Sequence, residues 1–222
     1  MKLAKPQLDV GIFTETLQPN LEFWGLRAGL EFDHRIDLRG DWAQHRFKSY
    51  GSIVKINHLT SALPRRPPTG YVGITIATDR CAPSELTDPS GINVKFVPPG
   101  QEGGMGVGVT VRTSEPERMM DFYTDAMQFD RVNETTARCG ESFIFVEAGD
   151  AVTESDDFLA AGFRYLTVQV FDADREMAGI ISRGGRFGRE PVSLGVIARY
   201  GFVRDPDGNW IEMSARKSLI TK

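Results

Sequence analysis

The sequence predicts an α+β chain of two strand-helix-strand-strand-strand (βαβββ) modules, residues 5–98 and 107–215, joined by a linker at 99–106. Three observations predict this. Residues 202–213 read FVRDPDGNWIEM, in which Asp-Pro-Asp-Gly is strong turn chemistry between two apolar flanks, the pattern of a hairpin. The turn recurs: Asp88-Pro89 and Asp205-Pro206 stand 117 positions apart (from 88 to 205), and Gly91 and Gly208 keep the spacing. Between the two copies, residues 97–106 read VPPGQEGGMG, a Pro/Gly-rich connection.

Taken in order, residues 7–14 alternate as a strand with Asp9, Gly11 and Phe13 on one face and Leu8, Val10 and Ile12 on the other. Residues 21–30 carry apolar side chains at helical spacing and stop near Gly29. Residues 42–59 form two strands around a turn at Tyr50-Gly51, with Lys55 and Asn57 sharing a face. A proline-rich loop at 63–70 precedes a strand at 71–77, and Pro83 and Pro89 bracket a short connection into residues 88–96. In the second half, 107–111 is a strand, and Ser114-Glu115-Pro116-Glu117 opens a helix to about Met127 as a capping box. Strands follow at 131–139, 142–147 and 165–171, with a polar loop at 149–157. A helix at 172–182 ends at Gly184-Gly185, before the hairpin. Phe23-Trp24 before Gly29-Leu30 is echoed by Phe122-Tyr123 before Gln128-Phe129. The helix at 172–182 has no counterpart between Ala77 and Asp88, so the first half is trimmed.

Composition narrows the function classes. The 222 residues are 41% hydrophobic and 25% charged with a net charge of −4, ordinary for a soluble globular protein. The acidic balance gives no electrostatic reason to expect nucleic acid. Cys81 and Cys139 form no CxxC, so neither a zinc ribbon nor a disulfide framework is implied. No apolar run approaches membrane-spanning length and the first six residues lack a signal-peptide core, so the expected location is cytoplasmic. Gly103-Gly104-Met105-Gly106 is followed by no Lys-Ser/Thr and is not a phosphate loop.

The DPDGNWIE stretch, with the repeated aromatic helix ends, resembles the vicinal oxygen chelate superfamily: glyoxalase I, bleomycin-resistance proteins and extradiol dioxygenases. The resemblance covers about residues 5–215. It implies that the modules pair into a cup-shaped mixed sheet with helices outside and a small-molecule site in the cup. It also implies that Glu212 stands where the superfamily commonly places a metal ligand. The superfamily's first-strand histidines fall on Asp9 and Gly108, a further histidine position falls on Tyr165, and the repeat mate of Glu212 is Lys95. A divalent metal (Mn, Fe, Zn or Ni) therefore finds few of its usual ligands, since a catalytic metal wants about three from the protein. The repeat instead suggests Lys95 beside Glu212 as counter-charge, with Asp9 close by. Such a group of Glu212, Lys95 and Asp9 is the candidate catalytic set.

Lys55 sits mid-strand between Val54 and Ile56, either lining the cup or snorkelling to an edge. Phe143, Phe145, Tyr165 and Trp210 are candidate aromatic walls, or plain core. His34, His45 and His58 show no HxH or HExxH spacing. His34 and His45 read as loop residues, with His45 a candidate at the rim. Three functions stay open: a binding protein for a small, partly aromatic or oxygenated molecule; a lyase, isomerase or extradiol-type dioxygenase, with or without metal; and a structural or protein-interaction role. A homodimer is compatible with each.

Overall fold

The computed structural model describes residues 1–79, 85–101 and 104–220; Cys81, Pro83 and Gly103 lie outside the described residues. The first half opens with strand β1 (Asp9–Thr14) and helix α1 (Leu17–Glu22), which runs on into a π-turn at Phe23–Arg27. Strands β2 (Glu31–Arg39), β3 (Trp42–Ser49) and β4 (Ser52–Leu59) complete one βαβββ unit, and β5 (Tyr71–Ala77), β6 (Glu85–Thr87) and β7 (Asn93–Val97) follow. The second half repeats this with β8 (Val107–Thr113), α2 (Pro116–Asp121) with a π-turn at Phe122–Ala126, β9 (Asp130–Asn133), β10 (Thr136–Cys139) and β11 (Ser142–Ala148). It ends with β12 (Gly162–Gln169), α3 (Ala173–Ser182), β13 (Arg186–Leu194), β14 (Ala198–Arg204) and β15 (Trp210–Arg216).

βαβββ modules thus pair into mixed sheets with helices outside, as the sequence predicts, and there are two such sheets. The pairing crosses the repeat. The first unit of the first half joins the last unit of the second in an eight-stranded sheet, β13-β14-β15-β12-β1-β4-β3-β2. The remaining strands form a seven-stranded sheet, β6-β7-β5-β8-β11-β10-β9. In the eight-stranded sheet β1 runs antiparallel to β12 and parallel to β4, and β12 runs parallel to β15. One large core of Leu8, Val10, Ile12, Val109, Ile144 and Met213, among others, lies on the helix side of the strands.

The repeat is visible in local chemistry. Asp88 Oδ1 accepts from the amides of Ser90 and Ile92, and Asp205 Oδ1 accepts from those of Asp207 and Asn209. The glycine closing each turn has a left-handed φ, +83° at Gly91 and +82° at Gly208, which a side chain would oppose. Each helix ends in the same widened turn, with Ala28 N bonding Phe23 O and Met127 N bonding Phe122 O across five residues.

Several sequence expectations shift. Helix α1 starts earlier than residue 21 and contains Pro19, tolerated because an N–H in the first turn would have no partner within the helix. The cap of α2 is Glu115, without a side-chain bond, and Pro116 occupies the first helical position; Ser114 caps nothing, and the amide of Glu115 instead bonds Thr113 Oγ1. Residues 131–139 divide into two strands. His34 and His45 are not loop residues: they lie on β2 and β3.

Candidate functional site

The site is the concave face of the eight-stranded sheet. Strand alternation sends Asp9, Gly11 and Phe13 of β1 to this face, along with Lys55 and Asn57 of β4, Tyr165, Thr167 and Gln169 of β12, and Trp210, Glu212 and Ser214 of β15. The tight Tyr50-Gly51 turn pairs Arg46 with Lys55 and Gln44 with Asn57 across β3 and β4. A cavity, partly open to solvent, with about 60 Å³ of space for the centres of water-sized molecules, occupies the cup.

The cup has two chemically different ends. Toward Phe13, an aromatic cluster packs tightly, with Phe158 against Phe202 at 4.6 Å, Trp210 at 5.6 Å and Tyr165 at 5.9 Å between ring centroids. Trp42 extends it, 5.2 Å from Phe13. Phe158 comes from the loop before β12, which buried Arg164 staples in place by donating to the carbonyls of Phe158 (3.2 Å), Asp157 (3.3 Å) and Pro67 (2.7 Å). Gly11 makes room for the Tyr165 ring: a Cβ there would lie 2.2 Å from ring atoms.

Toward Gln169 and Ser214 the cup is charged. The Lys55 ammonium donates to Glu212 Oε2 at 2.9 Å and to Thr167 Oγ1 at 2.5 Å, and the Thr167 hydroxyl donates to the same Glu212 oxygen at 2.7 Å. Lys55 also lies 5.3 Å above the Tyr165 ring. Burial pushes its ammonium below the ordinary lysine value, opposed by the charges of Glu212 and Asp9. Asp9 is fully buried beside it; Oδ1 accepts from Lys5 and from the Ile53 amide at 2.8 Å, and Oδ2 from Gln169 at 3.2 Å. Burial alone would raise the Asp9 carboxyl, but Lys5, Lys55 and Arg46 outweigh it and hold it below the usual range. The Tyr165 hydroxyl is pushed well above its ordinary value by burial, with Glu212 adding to the effect, so it stays a neutral phenol. It accepts from Asn57 at 3.2 Å and Gln44 at 3.4 Å.

Of the candidate residues, the cup brings together Glu212, Asp9, Lys55, Tyr165 and Trp210. It does not include Lys95, Phe143 or Phe145. Lys95 lies on β7, opposite Thr75 and Glu85 in the seven-stranded sheet, because the repeat spans two strand groups and the pairing sends its mates to different sheets. The lysine beside Glu212 is Lys55. Phe143 and Phe145 stack on each other, 6.1 Å apart, on β11 of that other sheet. No histidine lines the cup: His45 is buried on the opposite face of β3, 6.3 Å from Phe32. Gln44, Arg46, Thr167, Phe158, Phe202 and Arg216 escape the sequence reading. The Tyr50-Gly51 turn carries the signal for Gln44 and Arg46, since it fixes which residues of β3 share a face with Lys55 and Asn57.

A divalent metal fits this donor set poorly. Among the described residues no group of three His, Cys, Asp or Glu side chains could hold one. Both oxygens of Asp9 and one of the two oxygens of Glu212 are already committed to ammonium, hydroxyl and amide donors.

Comparison with known proteins agrees with this architecture. Residues 107–213 match the model of the Glyoxalase/Bleomycin resistance protein/Dioxygenase superfamily. No curated protein sequence matches the chain. Among solved structures, a point mutant of glyoxalase I from Zea mays superposes with a TM-score of 0.76 at 14% identity, covering 95% of this chain and 94% of that one. Glyoxalase I from Zea mays gives 0.71 at 12% identity, with 99% and 94% covered. A putative dioxygenase from Bacillus subtilis gives 0.69 at 14% identity, with 96% and 85% covered.

Proposed function

We propose that this chain, whose fold is that of the vicinal oxygen chelate superfamily, binds a small, partly aromatic, oxygen-bearing molecule in the cup of its eight-stranded sheet. In this reading the Lys55–Glu212 pair takes the place of a metal centre. The observation that supports it most is the commitment of Glu212 Oε2 to Lys55 and Thr167, at the edge of a cavity whose other end is walled by Trp42, Phe158 and Tyr165. An apolar wall with a few convergent polar groups is the usual composition of a small-molecule site. The aromatic rings would hold the body of the ligand. Lys55, the free oxygen of Glu212 and the Tyr165 hydroxyl would orient its oxygens.

A second reading, a lyase or isomerase working by proton transfer, is favoured by one feature. Glu212 Oε1 accepts no hydrogen bond within the described residues, while the adjacent Lys55 cation could stabilise an oxyanion. Asp9 is the weaker candidate base, because both its oxygens are occupied. Metal-dependent lyase or dioxygenase chemistry through Glu212 would need further ligands that the cup does not supply.

A panel of small aromatic alcohols, ketones and acids titrated into labelled protein tests the site. The Trp42 indole N–H, which donates to Asn57 Oδ1 at 3.1 Å, should shift on binding, and Trp42→Ala should weaken the hits roughly tenfold. Shifts confined to the seven-stranded sheet around Phe143 and Phe145 would overturn the assignment.

A further inference from the structure

Arg46 is buried on β3, yet its guanidinium is poorly provided for. The only hydrogen bond that group makes within the described residues is from Nη1 to the neutral Gln44 Oε1 at 2.6 Å, and its Nε is buried without a partner. A guanidinium carries five N–H donors and keeps its proton at any ordinary pH. A buried charge with a neutral amide as partner is costly. Arg216 is half-buried on β15 and also lines the cavity; its side chain makes no hydrogen bond within the described residues. Burial and the field of Arg46 both act against its charge.

The local charges do not cancel. At this end of the cup stand Lys5, Arg46, Lys55 and Arg216 against only Asp9 and Glu212. Asp9 is taken by Lys5 and Gln169, and Glu212 by Lys55 and Thr167. Asp33, whose field also reaches Arg216, is already bonded to His34 and Lys48. The cup is therefore positive inside a chain whose net charge is −4.

We infer that the cup's ligand is an organic anion: a carboxylate held by Arg46 and Arg216, carried on an aromatic or apolar body that lies against Trp42, Phe158 and Tyr165. The inference rests on the small-molecule reading above and names the class of ligand. Planar guanidinium groups match carboxylate geometry with paired N–H donors. An anion entering here would give Arg46 a directly bonded counter-charge, where the folded chain supplies the field of Asp9 and a neutral amide.

The test compares benzoate with benzamide, its neutral isostere, by following the indole signals of Trp42 in the cup and of Trp24, buried in the main core, as internal control. Benzoate is expected to bind roughly tenfold or more tightly than benzamide. Arg46→Gln and the less buried Arg216→Gln should each erase most of that preference while leaving benzamide binding in place. A second readout needs no ligand: Arg46→Gln should leave the ligand-free protein as stable as the parent or more so, since it removes an uncompensated charge. Equal binding of both probes at Trp42, unaffected by either arginine variant, would overturn the anion inference and leave the cup reading intact. No shift at Trp42 with either probe at millimolar concentration would overturn both. A large loss of ligand-free stability in Arg46→Gln would also overturn the inference, because Arg46 would then be a satisfied structural group.

Discussion

Lys55→Met is expected to destabilise the protein by about 3–5 kcal/mol, the loss typical of breaking a buried ion pair from one side. The ammonium stands among Glu212, Thr167 and Asp9 and is 3% exposed. Removing it leaves a carboxylate facing the cup with only a hydroxyl donor, and deprives Asp9 of one of the charges that hold it ionised. Methionine fills nearly the same volume, so the loss reports charge rather than packing. The double variant Lys55→Met/Glu212→Leu should regain more than half of it, because replacing both partners removes the uncompensated charge. Chemical denaturation of the two variants beside the parent decides the matter. A single variant within about 1 kcal/mol of the parent would mean that Lys55 does not neutralise Glu212.

Gly11→Ala is expected to cost about 1–3 kcal/mol through overpacking, a fall in Tm of roughly 3–10 °C for a chain of this size. The added Cβ would lie 2.2 Å from Cε1 and Cζ of Tyr165. That ring cannot retreat freely, since Phe13, Phe158 and Phe202 surround it at centroid distances of 6.1, 5.9 and 6.0 Å. It must tilt into the cup and pull its hydroxyl from Asn57 and Gln44. The Trp42 indole, bonded to the same Asn57 oxygen as Gln44, should shift in the variant without any ligand. An unchanged Trp42 signal and unchanged Tm would contradict the close packing of Tyr165 over β1.

The parts of the fold legible in the sequence are those set by short-range chemistry. Asp205, Pro206 and Gly208 dictate their own turn, and the same residue types at 88, 89 and 91 reveal the repeat. Alternation places Lys55 and Asn57 on one face of β4, and Asp9 with Gly11 and Phe13 on one face of β1. What local chemistry does not reveal is which strand group pairs with which. The pairing of β1 with β12 brings together residues more than a hundred positions apart and sets β4 and β15 on one face of the same sheet, and nothing in either paired strand names its partner. For that reason the repeat suggests Lys95 beside Glu212, while the true neighbour is Lys55. The aromatic walls are misplaced for the same reason: Phe143 and Phe145 alternate as well as Tyr165 does, but on a strand of the other sheet. Phe158 gives no periodic signal, because it reaches the cup from a loop held by Arg164 rather than from a strand. Burial disfavours that guanidinium enough to push its pKa down to about 10, a penalty consistent with a structural staple.

The protonation pattern of the cup follows from the same arrangement. Tyr165 remains a phenol and Asp9 a carboxylate beneath the floor, and among the described residues that line the cavity Glu212 is the one acidic side chain. No helix among the described residues is long and apolar enough to cross a membrane.

The most direct measurement of the central claim is the metal content of the purified protein, repeated after offering Mn, Fe, Zn and Ni, for the parent and for Glu212→Ala. The ion-pair account predicts substoichiometric metal in both, with no change on Glu212 substitution, because the carboxylate is already neutralised by Lys55. A near-stoichiometric metal in the parent that disappears in Glu212→Ala would contradict it and establish Glu212 as a metal ligand.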